Sequence, residues 1–147
     1  MTPHVLSLLP ESDVAWFTLI KPLVADFPDG VDFGKDSHGE KVVLSCHILA
    51  HAIGKVLNIW CVDGFFHPFY SHSWLKTEAG NVIDVYPVGI LSGPILVHDT
   101  GNFASPVKHL YEANISVNLD VVSQPWMVSA IKIAEAIIRP MVSAKPQ

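Results

Sequence analysis

The apolar and polar positions divide the chain into helical stretches at its two ends and a run of strands between them. Trp16, Phe17, Ile20, Leu23, Val24 and Phe27 recur at helical spacing, which predicts a helix over residues 12–27. Ser12 is placed to cap it, Pro22 to kink or restart it, and Pro28-Asp29-Gly30 to stop it. Residues 31–41 are polar and read as a loop. A second helix is predicted from Cys46 to about Leu57, with Ser45 as its cap and Asn58 as its end. Three strand candidates follow, over residues 59–66, 69–77 and 82–86. Residues 87–106 are rich in Gly and Pro and read as loop, with a short strand at Ile95-Leu96-Val97. Residues 117–122 read as one more strand. Pro125 suits the first turn of a last helix, which buries Met127, Ala130, Ile131, Ala134, Ile137 and Ile138 and stops at Pro140. Helices with a block of antiparallel strands make an α+β fold, a single domain over residues 1–147.

The turn between the second and third strands has a consequence beyond the fold. Thr77-Glu78-Ala79-Gly80-Asn81 suits a three-residue loop, a type I turn at Glu78-Ala79 followed by Gly80 in the left-handed region. That loop sets Thr77 opposite Asn81, Trp74 opposite Asp84 and His72 opposite Tyr86. His72, Trp74, Asp84 and Tyr86 then share one face, with His72 and Asp84 on a diagonal of about 7–8 Å at the backbone. A two-residue turn would shift the register by one and send His72 and Asp84 to opposite faces.

Cys46 opens its helix, where unpaired N–H groups and the positive end of the dipole favour a thiolate and can hold an oxyanion. A thiol at a helix start, a histidine on a strand and an acid on the next strand form the arrangement by which a thiol nucleophile is activated. Each residue also has a plainer reading. A free cysteine is often just buried, and a strand histidine usually packs. Asp84 is less easily dismissed, because it sits between Ile83 and Val85 in a strand, and a buried charge needs a partner. Cys61, mid-strand in Ile59-Trp60-Cys61-Val62, has no helix start to activate it and reads as core. Trp60, Phe65, Phe66, Phe69, Tyr70 and Trp74 suit either an apolar pocket or a core.

The order of Cys46 at a helix start, His72-Ser73-Trp74-Leu75 on a strand and Gly80-Asn81-Val82-Ile83-Asp84 on the next resembles the transglutaminase-like branch of papain-like thiol enzymes. The resemblance spans roughly residues 40–90. It implies a Cys46-His72-Asp84 triad and a papain-like α+β fold with helices packed on an antiparallel sheet. It also implies acyl transfer through a thioester: peptidase, amidase or deamidase chemistry, or transfer to an amine. The substrate would be a peptide, a protein or a small amide or thioester, and no cofactor or metal is implied. A non-catalytic binding module of the same fold is the rival from another class.

Composition narrows the remaining classes. Of 147 residues, 50% are hydrophobic and 16% charged, so disorder is not expected outside the ends. The net charge of -5 comes without a basic run, which argues against nucleic acid. No stretch reaches the roughly 20 apolar residues of a membrane span, and the N-terminal stretch lacks the cationic region of a secretion signal. Two free thiols and a cytoplasmic address are the expectation. His47 and His51 are four apart on one helix face, the spacing of zinc hydrolases, but Ile48 stands where the general base belongs. A third ligand from His67, His98 or Asp99 has no motif behind it, so His47 and His51 are expected to pack or meet solvent. His67 is an alternative base for Cys46, and His38 and His109 sit in polar or loop settings.

Overall fold

The computed structural model describes residues 11–66, 70–86, 95–97 and 111–143. Helix α1 spans Glu11–Ala25 and α2 spans Cys46–Leu57. Strands β1 (Trp60–Phe66), β2 (Tyr70–Lys76) and β3 (Val82–Asp84) come next, then β4 (Ile95–Val97) and β5 (Tyr111–Ala113). A helical turn at Ile115–Val117 runs into a π-helical turn at Asn118–Val122, and α3 spans Pro125–Ser143. The five strands form one sheet in the order β4-β3-β2-β1-β5, and every pairing in it is antiparallel. The fold is therefore α+β, with α2 packed against both α3 and strands β1 and β2.

Helix α2 is apolar on most of its circumference because it is covered on several sides. Ile48, Leu49, Ala50, Ala52 and Ile53 are all buried in it. They join Ile20 and Leu23 of α1, Leu75 and Ile83 of the sheet, and Met127, Ala130, Ile131, Ala134 and Ile138 of α3 in the main core. Each fully buried Leu or Ile side chain stabilises the fold by about 1.5–3 kcal/mol. Gly54 permits a close approach of α2 to the sheet: a Cβ there would lie 2.9 Å from the Ile59 carbonyl oxygen and 3.2 Å from Leu75 Cδ2. Asn58 ends α2 in the left-handed conformation at φ 58°, one that asparagine tolerates.

The β2–β3 hairpin has the predicted register, with Leu75 opposite Ile83 and Lys76 opposite Val82. Thr77 N–H donates to the Asn81 carbonyl at 2.9 Å, and Gly80 takes φ 89°, as the three-residue loop demands. A tie from α1 fixes this turn. Buried Asp13 accepts hydrogen bonds from Thr77 Oγ1 at 2.9 Å and from Asn81 Nδ2. The two faces of β2 then diverge. Leu75 enters the core beneath α2, while Trp74 joins Val62, Val82 and Tyr111 in a smaller cluster.

Four expectations need correction. Residues 117–122 are helical, not a strand. Val117 and Val122 are both buried, and a π-turn brings residues five apart onto one side, whereas strand alternation would also bury Leu119, which is 62% exposed. Helix α3 continues past Pro140, whose own side chain faces solvent while Met141 and Val142 pack on the core. Ser12 lies inside α1 rather than capping it. The first helix ends at Ala25, and Phe27 is buried beyond it, stacked on Phe33. Among the described residues, no single helix is long and apolar enough to cross a membrane.

Candidate functional site

Cys46 is the first residue of α2. Ser45 sets that start with extended backbone, and its hydroxyl oxygen accepts from the Ile48 N–H at 3.4 Å. Its carbonyl takes the first helical hydrogen bond, from Leu49 N–H at 3.0 Å. By helix geometry the N–H groups of Cys46 and His47 have no acceptor within the helix. They carry the positive end of the dipole beside the thiol.

His72 and Asp84 meet on adjacent strands, both almost wholly buried. His72 Nε2–H donates to Asp84 Oδ2 at 2.8 Å. A carboxylate accepts only, so the Nε2 proton is fixed there and Nδ1 is the nitrogen left for the thiol. Burial is the largest single influence on the His72 ring and disfavours its charged form. The Asp84 hydrogen bond, a hydrogen bond with Cys46 and the charges of both partners outweigh it, and the ring is raised to about 9. The structure thus brings Cys46, His72 and Asp84 together.

A fourth residue belongs to this group. Tyr111 of β5 donates its hydroxyl to Asp84 Oδ2 at 2.8 Å, the same oxygen that His72 holds. Burial, then the nearby Asp84 charge, push the Tyr111 phenol up, so it remains a donor. Its ring lies 5.3 Å from Trp74 and 6.3 Å from His72, and Phe66 is 5.2 Å away. Tyr86 N–H donates to the other Asp84 oxygen, Oδ1, at 3.1 Å. The Asp84 carboxylate is therefore oriented at both oxygens. Trp74 is 3% exposed, and its ring lies 6.1 Å from His72. Trp60 and Tyr70, by contrast, are exposed.

A second polar network lies on the alternate residues of β2. Ser73 Oγ donates to Asp63 Oδ1 at 2.6 Å, so His47 Nδ1–H must donate to Ser73 Oγ, at 2.7 Å. His47 Nε2 then accepts from the Ser71 hydroxyl at 3.4 Å. Burial lowers His47 to about 4, against the opposing pull of Asp63, so the ring is neutral near pH 7. His51 Nε2 donates to Asp63 Oδ1 at 2.6 Å, and Asn118 Nδ2 donates to Asp63 Oδ2 at 2.8 Å. Burial raises the Asp63 carboxyl, but the hydrogen bonds from His51, Ser73 and Asn118 prevail and hold it below its usual value. Because His47 follows Cys46, its bond to Ser73 ties the first turn of α2 to the strand that carries His72.

Sequence reasoning missed Tyr111, Asp63 and Ser73. Asp63 carried a signal, since an aspartate inside an apolar strand needs partners, as Asp84 does. Tyr111 carried none. Cys61 packs against the main core as expected. Burial, then the charges of Asp63 and Cys46, push its thiol well up. His38 bonds through its backbone N–H to Asp36 Oδ1 in the loop before α2. His67, His98, Asp99 and His109 lie outside the described residues. A cleft of about 600 Å³, lined by Trp16, Trp60, Lys76 and Glu78 among others, opens at the far end of β2 and includes no residue of the Cys46 group. No family model, curated protein or solved structure matches the chain.

Proposed function

We propose that the protein is a cysteine-dependent acyl-transfer enzyme of the transglutaminase-like, papain-like type. The observation that carries this reading is the hydrogen-bonded line from Asp84 Oδ2 through the His72 ring to the Cys46 thiol at a helix start. A His72 ring raised to about 9 is charged at neutral pH, and an adjacent imidazolium favours thiolate. The Cys46 sulfur attacks the carbonyl carbon of an amide or thioester. The backbone N–H groups at the start of α2 face the developing oxyanion. His72 gives its proton to the leaving amine or thiol, and a thioester on Cys46 remains. His72 then takes a proton from water, whose oxygen attacks the thioester, and the acid leaves as the Cys46 thiol is restored. An amine in place of water gives acyl transfer by the same steps. Asp84 holds the ring and balances its charge, and Tyr111 and Tyr86 hold Asp84.

The test is an acyl-thiol-trapping probe set applied to the wild type and Cys46→Ala, with iodoacetamide labelling read by peptide mapping. Cys46 is expected to label faster than Cys61 near neutral pH, His72→Ala to slow it, and Cys46→Ala to abolish acyl trapping. Equally slow labelling of both thiols makes the chain a non-catalytic binding module instead.

A further inference from the structure

The proposed acyl chemistry does not use the cluster formed by His51, Cys61 and Asp63. Cys61 and Asp63 are two apart on β1 and so share a face, and His51 reaches them from α2. His51 nitrogen, Cys61 Sγ and an Asp63 carboxylate oxygen lie within 4.8 Å of one another, and all three residues are half-buried. Two features go beyond an ion pair. A thiol has no part in a His–Asp pair, yet Cys61 stands beside this one. Asp63 is also oriented from outside the cluster, by Asn118 Nδ2 at 2.8 Å on Oδ2 and by Ser73 Oγ at 2.6 Å on Oδ1. Outer hydrogen bonds of this kind hold a carboxylate ligand in place.

We propose that His51, Cys61 and Asp63 bind one divalent transition-metal ion of the zinc type. His51 coordinates through Nε2, Cys61 through Sγ as thiolate, and Asp63 through Oδ1, with water completing a tetrahedral set. As the ion binds, the thiol proton is released to solvent and Nε2 gives up its proton, leaving the neutral His51 ring protonated on Nδ1. A mixed N, S and O set selects zinc or cobalt over magnesium or calcium, which take oxygen ligands. Tetrahedral bonds of about 2.0–2.3 Å separate ligand atoms by about 3.3–3.7 Å. The 2.6 Å contact between His51 and Asp63 opens by under about 1 Å to admit the ion. Bound there, the ion ties α2, which carries Cys46, to the middle of β1. The histidine pair His47 and His51 is thereby split: His47 anchors to Ser73, and only His51 is a ligand.

The test uses the full chain stripped of metal by chelator and titrated with Co(II) alone, then with Zn(II) alone. Co(II) is expected to give a saturable thiolate-to-metal charge-transfer band at one equivalent, displaced by Zn(II), with one zinc seen by native mass spectrometry. Cys61→Ser is expected to lose the band. His51→Ala and Asp63→Asn are expected to weaken binding at least about tenfold, and Asn118→Ala about tenfold. Cys46→Ala keeps the band. Zinc also protects Cys61, but not Cys46, from alkylation in the wild type, which decides the matter if a variant fails to fold. Absence of stoichiometric binding by the wild type overturns the proposal. So does a band that survives Cys61→Ser, or one that vanishes with Cys46→Ala. Each of these failures leaves the Cys46 labelling test above unaffected.

Discussion

Replacing Asp84 with asparagine probes the proposed site at its most constrained point. The carboxylate accepts three hydrogen bonds, from His72 Nε2 at 2.8 Å, Tyr111 Oη at 2.8 Å and Tyr86 N at 3.1 Å. An asparagine has one acceptor oxygen and one NH2 group. If its oxygen serves Tyr86, its NH2 faces His72 and drives the ring to the tautomer protonated on Nδ1. That tautomer cannot take the thiol proton. The charge supporting the imidazolium is also lost, and burial, the largest influence on this ring, then acts with less opposition. The full rise of His72 from its ordinary 6.5 to about 9 is worth about 3 kcal/mol, and because Cys46 supplies part of it, that figure is the ceiling on what the loss of the Asp84 charge removes from the charged ring. The assay is iodoacetamide alkylation of Cys46 between about pH 6 and 8, with Cys61 as the internal reference and circular dichroism to confirm folding. Asp84→Asn is expected to slow Cys46 by up to about 10² near pH 6.5 and to leave Cys61 unchanged. Wild-type reactivity of Cys46 in a folded Asp84→Asn variant refutes the reasoning.

The remaining predictions concern the supports of the site. Because His72 is raised on folding, its contribution to stability is fully present below about pH 6.5 and is lost as pH rises through about 9. Denaturant unfolding of Cys46→Ala, in which no thiol titrates against His72, is expected to show stability falling across that window by up to about 3 kcal/mol, with His72→Gln in the same background flattening the fall; a flat Cys46→Ala profile refutes it. His47 has the opposite sign. Lowered to about 4, its contribution is present above about pH 6.5 and lost as pH falls toward 4, so His47→Gln should lessen acid destabilisation measured by the same melts. Tyr111→Phe keeps the ring packing but removes the hydrogen bond to Asp84, at a cost of about 2 kcal/mol in the unfolding free energy. Gly64→Ala drives a Cβ into the backbone of Glu112 and Ala113, so β5 must leave β1. A loss of about 3 kcal/mol or more is expected in thermal melts, with slower Cys46 alkylation as Tyr111 is displaced.

Helix α2 and the β2–β3 hairpin were legible in the sequence because local chemistry decides them. Ser45 and Asn58 bound the helix by cap geometry, and Gly80 takes the φ that its loop requires. Those two elements place Cys46, His72 and Asp84. What the sequence hid depends on distant neighbours. Strand β5 has three residues and exists because β1 offers it an edge beside Gly64, where a side chain would block it. Tyr111 reaches Asp84 across the sheet from a position no periodicity marks. Residues 117–122 are valine-rich and so read as strand, but burial five residues apart selects a helical turn. Pro140 stops a helix only where nothing holds the residues beyond it, and here Met141 and Val142 rest on the core.

The two networks share one cause, the alternation of side chains along β2. Ser73 and Leu75 face α2, the first holding His47 and the second filling the core, while His72 and Trp74 belong to the other set. The same alternation sends Ile83 and Val85 into the core and leaves Asp84 to meet His72. A slip of one residue between β2 and β3 would carry Asp84 into the apolar contact beneath α2 and turn Ile83 and Val85 out of the main core. Burial of Ile83 and Val85 thus enforces the register that the proposed chemistry needs, independently of the turn. The Asp13 tie to Thr77 and Asn81 adds a third restraint, from a helix that contributes nothing to the site itself. An acid on a three-residue strand is held in register to its base because misplacing it would cost the core, not because the acid–base pair is strong enough to align the sheet.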